Sequence, residues 1–131
     1  MKYQTVKIES EEWSKDRTRA IDSIDFALVC SADDVPTGHV TCIEMDKETI
    51  YWQLGGALES IKGTFAVVPC YMSMIKWSLE RYQRISTRIL NTNIKMLHLA
   101  MRIGFRIIGV RTFKNEIFLE LNLERGESVW A

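Results

Sequence analysis

Residues 84–109 read R-I-S-T-R-I-L-N-T-N-I-K-M-L-H-L-A-M-R-I-G-F-R-I-I-G. Ile85, Thr87 and Ile89 alternate with Ser86 and Arg88, the period of two of a half-buried strand. Asn91 to Asn93 then offer side-chain oxygens that can cap the free N–H groups of a helix start. From Ile94 to Ile103 apolar residues recur at helical spacing, with Met96, Leu99, Ala100 and Ile103 on one face. Gly104 closes this helix, because glycine takes the left-handed backbone of a helix end without steric cost. Phe105 and Arg106 lead into another β-rich run. Strand, helix, Gly-Phe and strand make a compact αβ unit.

On the C-terminal side, Arg106–Phe113 and Glu116–Leu123 flank Lys114-Asn115, a two-residue hairpin turn in which Asn tolerates positive φ. Ile117, Leu119, Leu121 and Leu123 alternate with polar or aromatic residues, so this strand has one covered face. On the N-terminal side, a long apolar stretch ends at Tyr82. Pro69 suits only a helix's first turn, so the helix is expected over 68–82, with Met72, Ile75, Trp77 and Leu79 buried. Strands are expected at 3–8, 26–30, 40–45 and 50–58, with a helix capped by Ser10, carrying Trp13, Arg17, Ala20, Ile21 and Ile24 on its apolar face and ending near Asp25. Asp33 to Gly38 marks a turn, and a hairpin centred near Pro36 would bring Cys30 beside Cys42. Gly55-Gly56 inside a strand suggests a bulge or a plain strand end.

The chain of 131 residues, 47% apolar, is large enough for one domain with a real core. Residues 1–131 are read as a single domain, with 124–131 a short C-terminal tail whose Val129-Trp130 docks on its own body or on another chain. No run approaches the ~18 apolar residues of a membrane span. The first residues are too polar for a signal peptide, and three unpaired cysteines fit a reducing compartment. A cytoplasmic protein is expected. Net charge is zero, yet residues 1–59 carry six Lys/Arg against twelve Asp/Glu, and residues 60–125 carry eleven against four. The basic half suits either an anionic partner or an ordinary solvated surface. Self-association is one way to satisfy it. Nucleic acid is the least supported partner, because no recognition motif accompanies the charge. His39 has no ligand spacing to another His or Cys, so no metal is expected.

The order Asn93, Met96, Leu99-Ala100, Gly104-Phe105 after a strand resembles the second half of GCN5-related N-acetyltransferases, the GNAT superfamily. Tyr51–Ala57 and Gly104–Phe113 resemble a short GNAT-like type found in tailed-bacteriophage genomes. The resemblance covers about residues 26–123. It implies an α/β (α+β) mixed sheet of about six or seven strands with three main helices. It also implies that strands 50–58 and 85–90 are parallel neighbours, and that a bulge in the earlier one opens a slot for acetyl-CoA. The implied activity is transfer of an acetyl group to an amine. If the protein is phage-encoded, its setting is the host cytoplasm.

Such an enzyme must orient two substrates, remove a proton from the amine and stabilise developing negative charge. The family holds the cofactor's phosphates on backbone N–H groups at a helix start, through Gln/Arg-x-x-Gly-x-Gly/Ala. Here Ser60-Ile61-Lys62-Gly63-Thr64-Phe65 lies at that place. Lys62, Gly63 and Thr64 are therefore candidate cofactor contacts, although Ser60 and Phe65 depart from the pattern. Asn93 is a fourth candidate, beside the pantetheine arm, or else a simple helix cap. Many family members carry, at the position of Ala100, a tyrosine that protonates the leaving thiolate; alanine cannot. His98 falls on the polar face with Lys95 and Arg102. Glu44, Glu59 and Glu120 could each act as a base through water. Two functions stay open: an N-acyltransferase with an altered site, or a non-catalytic protein of this fold that binds a phage or host protein.

Overall fold

The structure is a computed structural model that describes residues 2–15, 24–57 and 67–127. Its elements are β1 (Tyr3–Glu9), α1 (Ser10–Lys15), β2 (Phe26–Ala32), β3 (Val35–Glu44), β4 (Thr49–Ala57), α2 (Val67–Arg81), β5 (Arg84–Leu90), α3 (Ile94–Ile103), β6 (Arg106–Phe113) and β7 (Glu116–Glu124). The seven strands form one mixed sheet in the order β1-β2-β3-β4-β5-β7-β6. Only β4 and β5 run parallel, and α2 connects them. A parallel neighbour needs a long crossover. The expected pairing of these two strands is present.

Both tight hairpins use two-residue turns in which each central residue has positive φ: 50° and 69° at Asp33 and Asp34, 48° and 65° at Lys114 and Asn115. This geometry matches the right-handed twist of the strands it joins. The first turn therefore lies at Asp33-Asp34 and not near Pro36, which sits in β3 opposite Ser31. Aspartate side chains tolerate left-handed backbone and outcompete the proline as turn formers. The displaced turn separates the cysteines expected together: Cys30 faces Gly38, and Cys42 faces Phe26.

Cys30 meets Cys70 of α2 instead. Thr37, the extra residue of a bulge in β3, donates its hydroxyl to the Cys30 carbonyl at 3.1 Å. The same hydroxyl lies 3.6 Å and 3.7 Å from the Cys30 and Cys70 sulfurs. The Cys70 thiol, and then this hydroxyl, hold the Cys30 thiol below its ordinary range, against its burial. Cys42 is pushed the other way by burial alone in an apolar core.

One face of the sheet carries the main core. Phe26, Leu28, Cys42, Ile50, Ile85, Leu121 and Leu123 meet Cys70, Met74, Ile75 and Leu79 of α2 and Leu97, Ala100 and Ile103 of α3. In α3 it is Leu97 that is buried; Met96 and Leu99, expected on the buried face, pack half-exposed beside it. Positions 97, 100 and 103 form the i, i+3, i+6 line that points at the sheet, and 96 and 99 flank it. Asn93 occupies the cap position, but its side chain makes no capping hydrogen bond. Gly104 has φ 125° and closes the helix through N–H bonds to Ala100 and Met101 carbonyls. Glu124 still belongs to β7, and Arg125 donates from Nε to the Leu79 carbonyl at 2.7 Å and from Nη2 to that of Tyr82 at 2.9 Å. These bonds satisfy carbonyls that the end of α2 leaves open.

Tyr82, buried just past α2, donates its hydroxyl to Glu44 Oε2 at 2.6 Å. Burial, then this hydrogen bond and the Glu44 charge, push the phenol upward. The folded state thus holds the proton more tightly than the unfolded chain, whose tyrosines titrate near pH 10. Stability from this group is complete below about pH 10 and is lost as pH rises through the folded value. Urea unfolding from about pH 8 to pH 11 should show the decline, and Tyr82→Phe should flatten it. An equal decline in the variant would assign it to other groups.

Candidate functional site

The parallel ladder between β4 and β5 is short. Its pairs run from Thr49 with Arg84 to Trp52 with Thr87. Arg84 fastens the near end, from Nε to Glu124 Oε1 and from Nη1 to Thr49 Oγ1, both at 2.9 Å. At the far end Thr87 donates its hydroxyl to the Trp52 carbonyl at 2.9 Å. Beyond it, β4 continues beside β3 to Ala57 and β5 continues beside β7 to Leu90, without pairing to each other.

The parting follows from a bulge in β4. Cys42 pairs with Trp52 but Thr41 pairs with Leu54, which leaves Gln53 as the extra residue. An inserted residue bends the strand that carries it. The bulge expected at Gly55-Gly56 is not there: those glycines stay in register with Val40 and His39. Gln53 Oε1 is buried and finds no hydrogen-bond partner among the described residues. A buried amide oxygen without a partner is costly, and Gln53 is the first residue of β4 beyond the parallel ladder.

Side chains alternate across a strand, so the face opposite the main core carries Tyr51, Ser86, Arg88, Glu120 and Asn122. Ser86 donates to Asn122 Oδ1 at 2.7 Å. Arg111 Nε lies 2.8 Å from Glu120 Oε1. Arg88, directly across from Glu120 in the ladder, places its guanidinium 4.8 Å from the centre of the Phe118 ring. Tyr51 is half-buried; burial raises its phenol, while Arg88 and Arg111 pull it back and Glu120 adds to the rise. These four groups therefore feel one another across four strands.

Of the residues singled out in the sequence, Lys62, Gly63, Thr64, Phe65 and Glu59 lie outside the described residues, as do Val129 and Trp130. Asn93 is exposed at the start of α3, and its carbonyl accepts the Leu97 N–H at 3.1 Å. Ala100 is 2% exposed, within the core. Of the two candidate bases among the described residues, Glu44 is engaged by Tyr82 and Glu120 stands in the polar cluster. His98, Lys95 and Arg102 are all exposed, as their helical spacing implied. The basic half does not form one bare surface: Arg84, Arg106 and Arg111 pair with Glu124, Glu127 and Glu120, and Arg81 stacks on Trp77. A groove of about 700 Å³ runs along α2 between Tyr3 and Arg125, but no residue of β4 or β5 lines it. No cluster of His, Cys, Asp and Glu among the described residues could hold a metal.

Sequence reasoning did not reach Gln53, Tyr51 or Arg88. Their roles depend on register between strands far apart in the chain, which no local pattern encodes. The bulge adjoining Gly55-Gly56 is the nearest signal.

A meander of antiparallel strands, a parallel β4–β5 pair that parts after a bulge, and a crossover helix between them define the GNAT acyl-CoA N-acyltransferase fold. Solved structures bear this out. The chain is similar to a GNAT family acetyltransferase from Elizabethkingia anophelis with acetyl-CoA bound, at 16% identity and a TM-score of 0.65 over 76% of this chain and 75% of that one. It is similar to an IAA acetyltransferase from Bacillus cereus, at 13% identity and a TM-score of 0.73 over 94% and 99%. It is similar also to the spermidine/spermine N-acetyltransferase SpeG from Vibrio cholerae, at 15% identity and a TM-score of 0.67 over 88% and 74%. No protein-family model matches the chain. No curated protein matches it either. No helix among the described residues is long and apolar enough to cross a membrane.

Proposed function

We propose that this protein is an acyl-CoA-dependent N-acyltransferase with an altered acid–base apparatus. The observation that carries the reading is the parting of β4 and β5 beyond Trp52 and Thr87, with Gln53, whose side-chain oxygen has no partner among the described residues, as the first residue past it. Strand edges without a partner offer N–H and C=O groups to an extended, amide-bearing ligand, and the pantetheine arm of acetyl-CoA is one. Backbone of 53–57, the Gln53 amide and Asn93 are the groups proposed to hold that arm. Lys62, Gly63 and Thr64, just ahead of α2, are proposed to hold the phosphates, because a helix start favours anions. When bound, acetyl-CoA supplies the activated acyl thioester.

Ala100 places no acid at the leaving sulfur, so the thiolate is left to take its proton from water. Lacking a placed acid costs about 10²–10⁴-fold in rate. The same absence favours the second reading, a non-catalytic protein of this fold that binds a phage or host protein partner. Calorimetric titration with acetyl-CoA separates the two. Saturable one-to-one binding, weakened about tenfold by Gln53→Ala as expected for one lost hydrogen bond in a closed site, is the expected result. Absence of any binding would overturn the acyltransferase reading and leave the binding protein.

A further inference from the structure

The open face beside the β4–β5 gap carries an arrangement that the fold alone does not require. Glu120 is held through Oε1 by Arg111 at 2.8 Å. Its other oxygen, Oε2, faces Gly109, the residue opposite it in the ladder, where an added Cβ would sit 3.7 Å away in van der Waals contact. Glycine at this position leaves Oε2 uncovered from that side. Arg88 stands directly across the ladder from Glu120, yet its guanidinium turns to the Phe118 ring and shows no ion pair with a carboxylate among the described residues. A held carboxylate and a cation with no carboxylate partner among the described residues thus share one face, bounded by Tyr51 and Phe118. Such a pair of opposite charges matches a ligand that carries both.

We infer that this face binds the acceptor, and that the acceptor is a small primary amine bearing its own anionic group, its ammonium on Glu120 Oε2 and its carboxylate or phosphate on Arg88. This rests on the acyltransferase reading and names its acceptor class. Glu120 receives the proton: one N–H bond breaks, an O–H bond forms on Oε2, and the nitrogen lone pair is freed to attack. Arg111 is the positioning residue that keeps the carboxylate in place. Arg88 is the specificity residue, since a guanidinium fork suits a planar carboxylate or a phosphate far better than a neutral group.

The test uses the whole protein and four small probes without any activity readout. β-Alanine carries amine and carboxylate, phosphoethanolamine carries amine and phosphate, propylamine carries the amine alone, and propionate the anion alone. Binding is followed by ligand-observed NMR, with and without acetyl-CoA. At least one of the two double-ended probes should bind about tenfold or more tightly than either single-ended one. The stronger of the two identifies the anion. Arg88→Gln should abolish that preference while Arg88→Lys keeps part of it; Arg88 is exposed, so neither change should disturb folding. Glu120→Gln should weaken propylamine and leave propionate unchanged. Equal binding of β-alanine, phosphoethanolamine and propylamine, or a preference untouched by Arg88→Gln, overturns the inference. Acetyl-CoA binding with no binding of either double-ended probe sinks the acceptor class and spares the acyltransferase reading. Binding of these probes to a protein that ignores acetyl-CoA overturns the acyltransferase reading and the acceptor role with it, and leaves a face that binds zwitterions.

Discussion

Replacing Trp52 by alanine should cost about 3–5 kcal/mol of stability. This indole is 6% exposed and fills the core at the last rung of the β4–β5 ladder. Its Nε1–H donates to Ser78 Oγ at 3.3 Å, and Ser78 donates in turn to the Met74 carbonyl at 2.8 Å. Truncation removes the ring and also the donor that ties β4 to the last turn of α2. A domain of this size has about 5–15 kcal/mol in hand, so the variant should be marginal at 37 °C. Urea unfolding followed by far-UV circular dichroism measures the loss. A cost below about 1 kcal/mol would mean that the site collapses around the deletion and that the ladder does not depend on this side chain.

The second large effect concerns Ala100. From the family resemblance alone, restoring a tyrosine there is expected to supply the missing acid and raise turnover. The fold points the other way. Ala100 is almost fully buried between Leu97 and Ile103 on the sheet-facing line of α3. Its carbonyl accepts N–H bonds from Gly104 at 3.2 Å and Phe105 at 3.0 Å, which pins the helix end in place. A phenol ring has to enter the packed core, at a cost of about 1–3 kcal/mol. Ala100→Tyr should therefore lower the melting temperature by several degrees and leave turnover no higher. A variant that melts like the parent and turns over faster would show that the position opens into the β4–β5 gap, where the hydroxyl would serve as acid.

The contrast at residue 100 shows how far local reading reaches. Strand 84–90, helix 94–103, Gly104 and the Lys114-Asn115 turn are legible because each is set by a local pattern: alternation, helical spacing, a left-handed stop, a two-residue loop. The parallel neighbours β4 and β5 were reachable through the resemblance, which brings topology that periodicity cannot. The first hairpin was misplaced because Pro36 and Gly38 look like turn residues, while two aspartates make the tighter turn. Cys30 consequently found Cys70 across the core and not Cys42 beside it.

What the chain by itself determined is most of the elements and their order, since these depend on residues within a few positions of one another. What only the tertiary structure decided is which side chains meet. A single inserted residue, Gln53, parts β4 from β5 and leaves its own oxygen unpaired. Register across β4, β5 and β7 sets Tyr51, Arg88 and Glu120 on one face, although 69 positions of chain separate the first from the last. Pairing between distant strands depends on where each bulge and turn falls, and a shift of one residue moves every side chain to the opposite face.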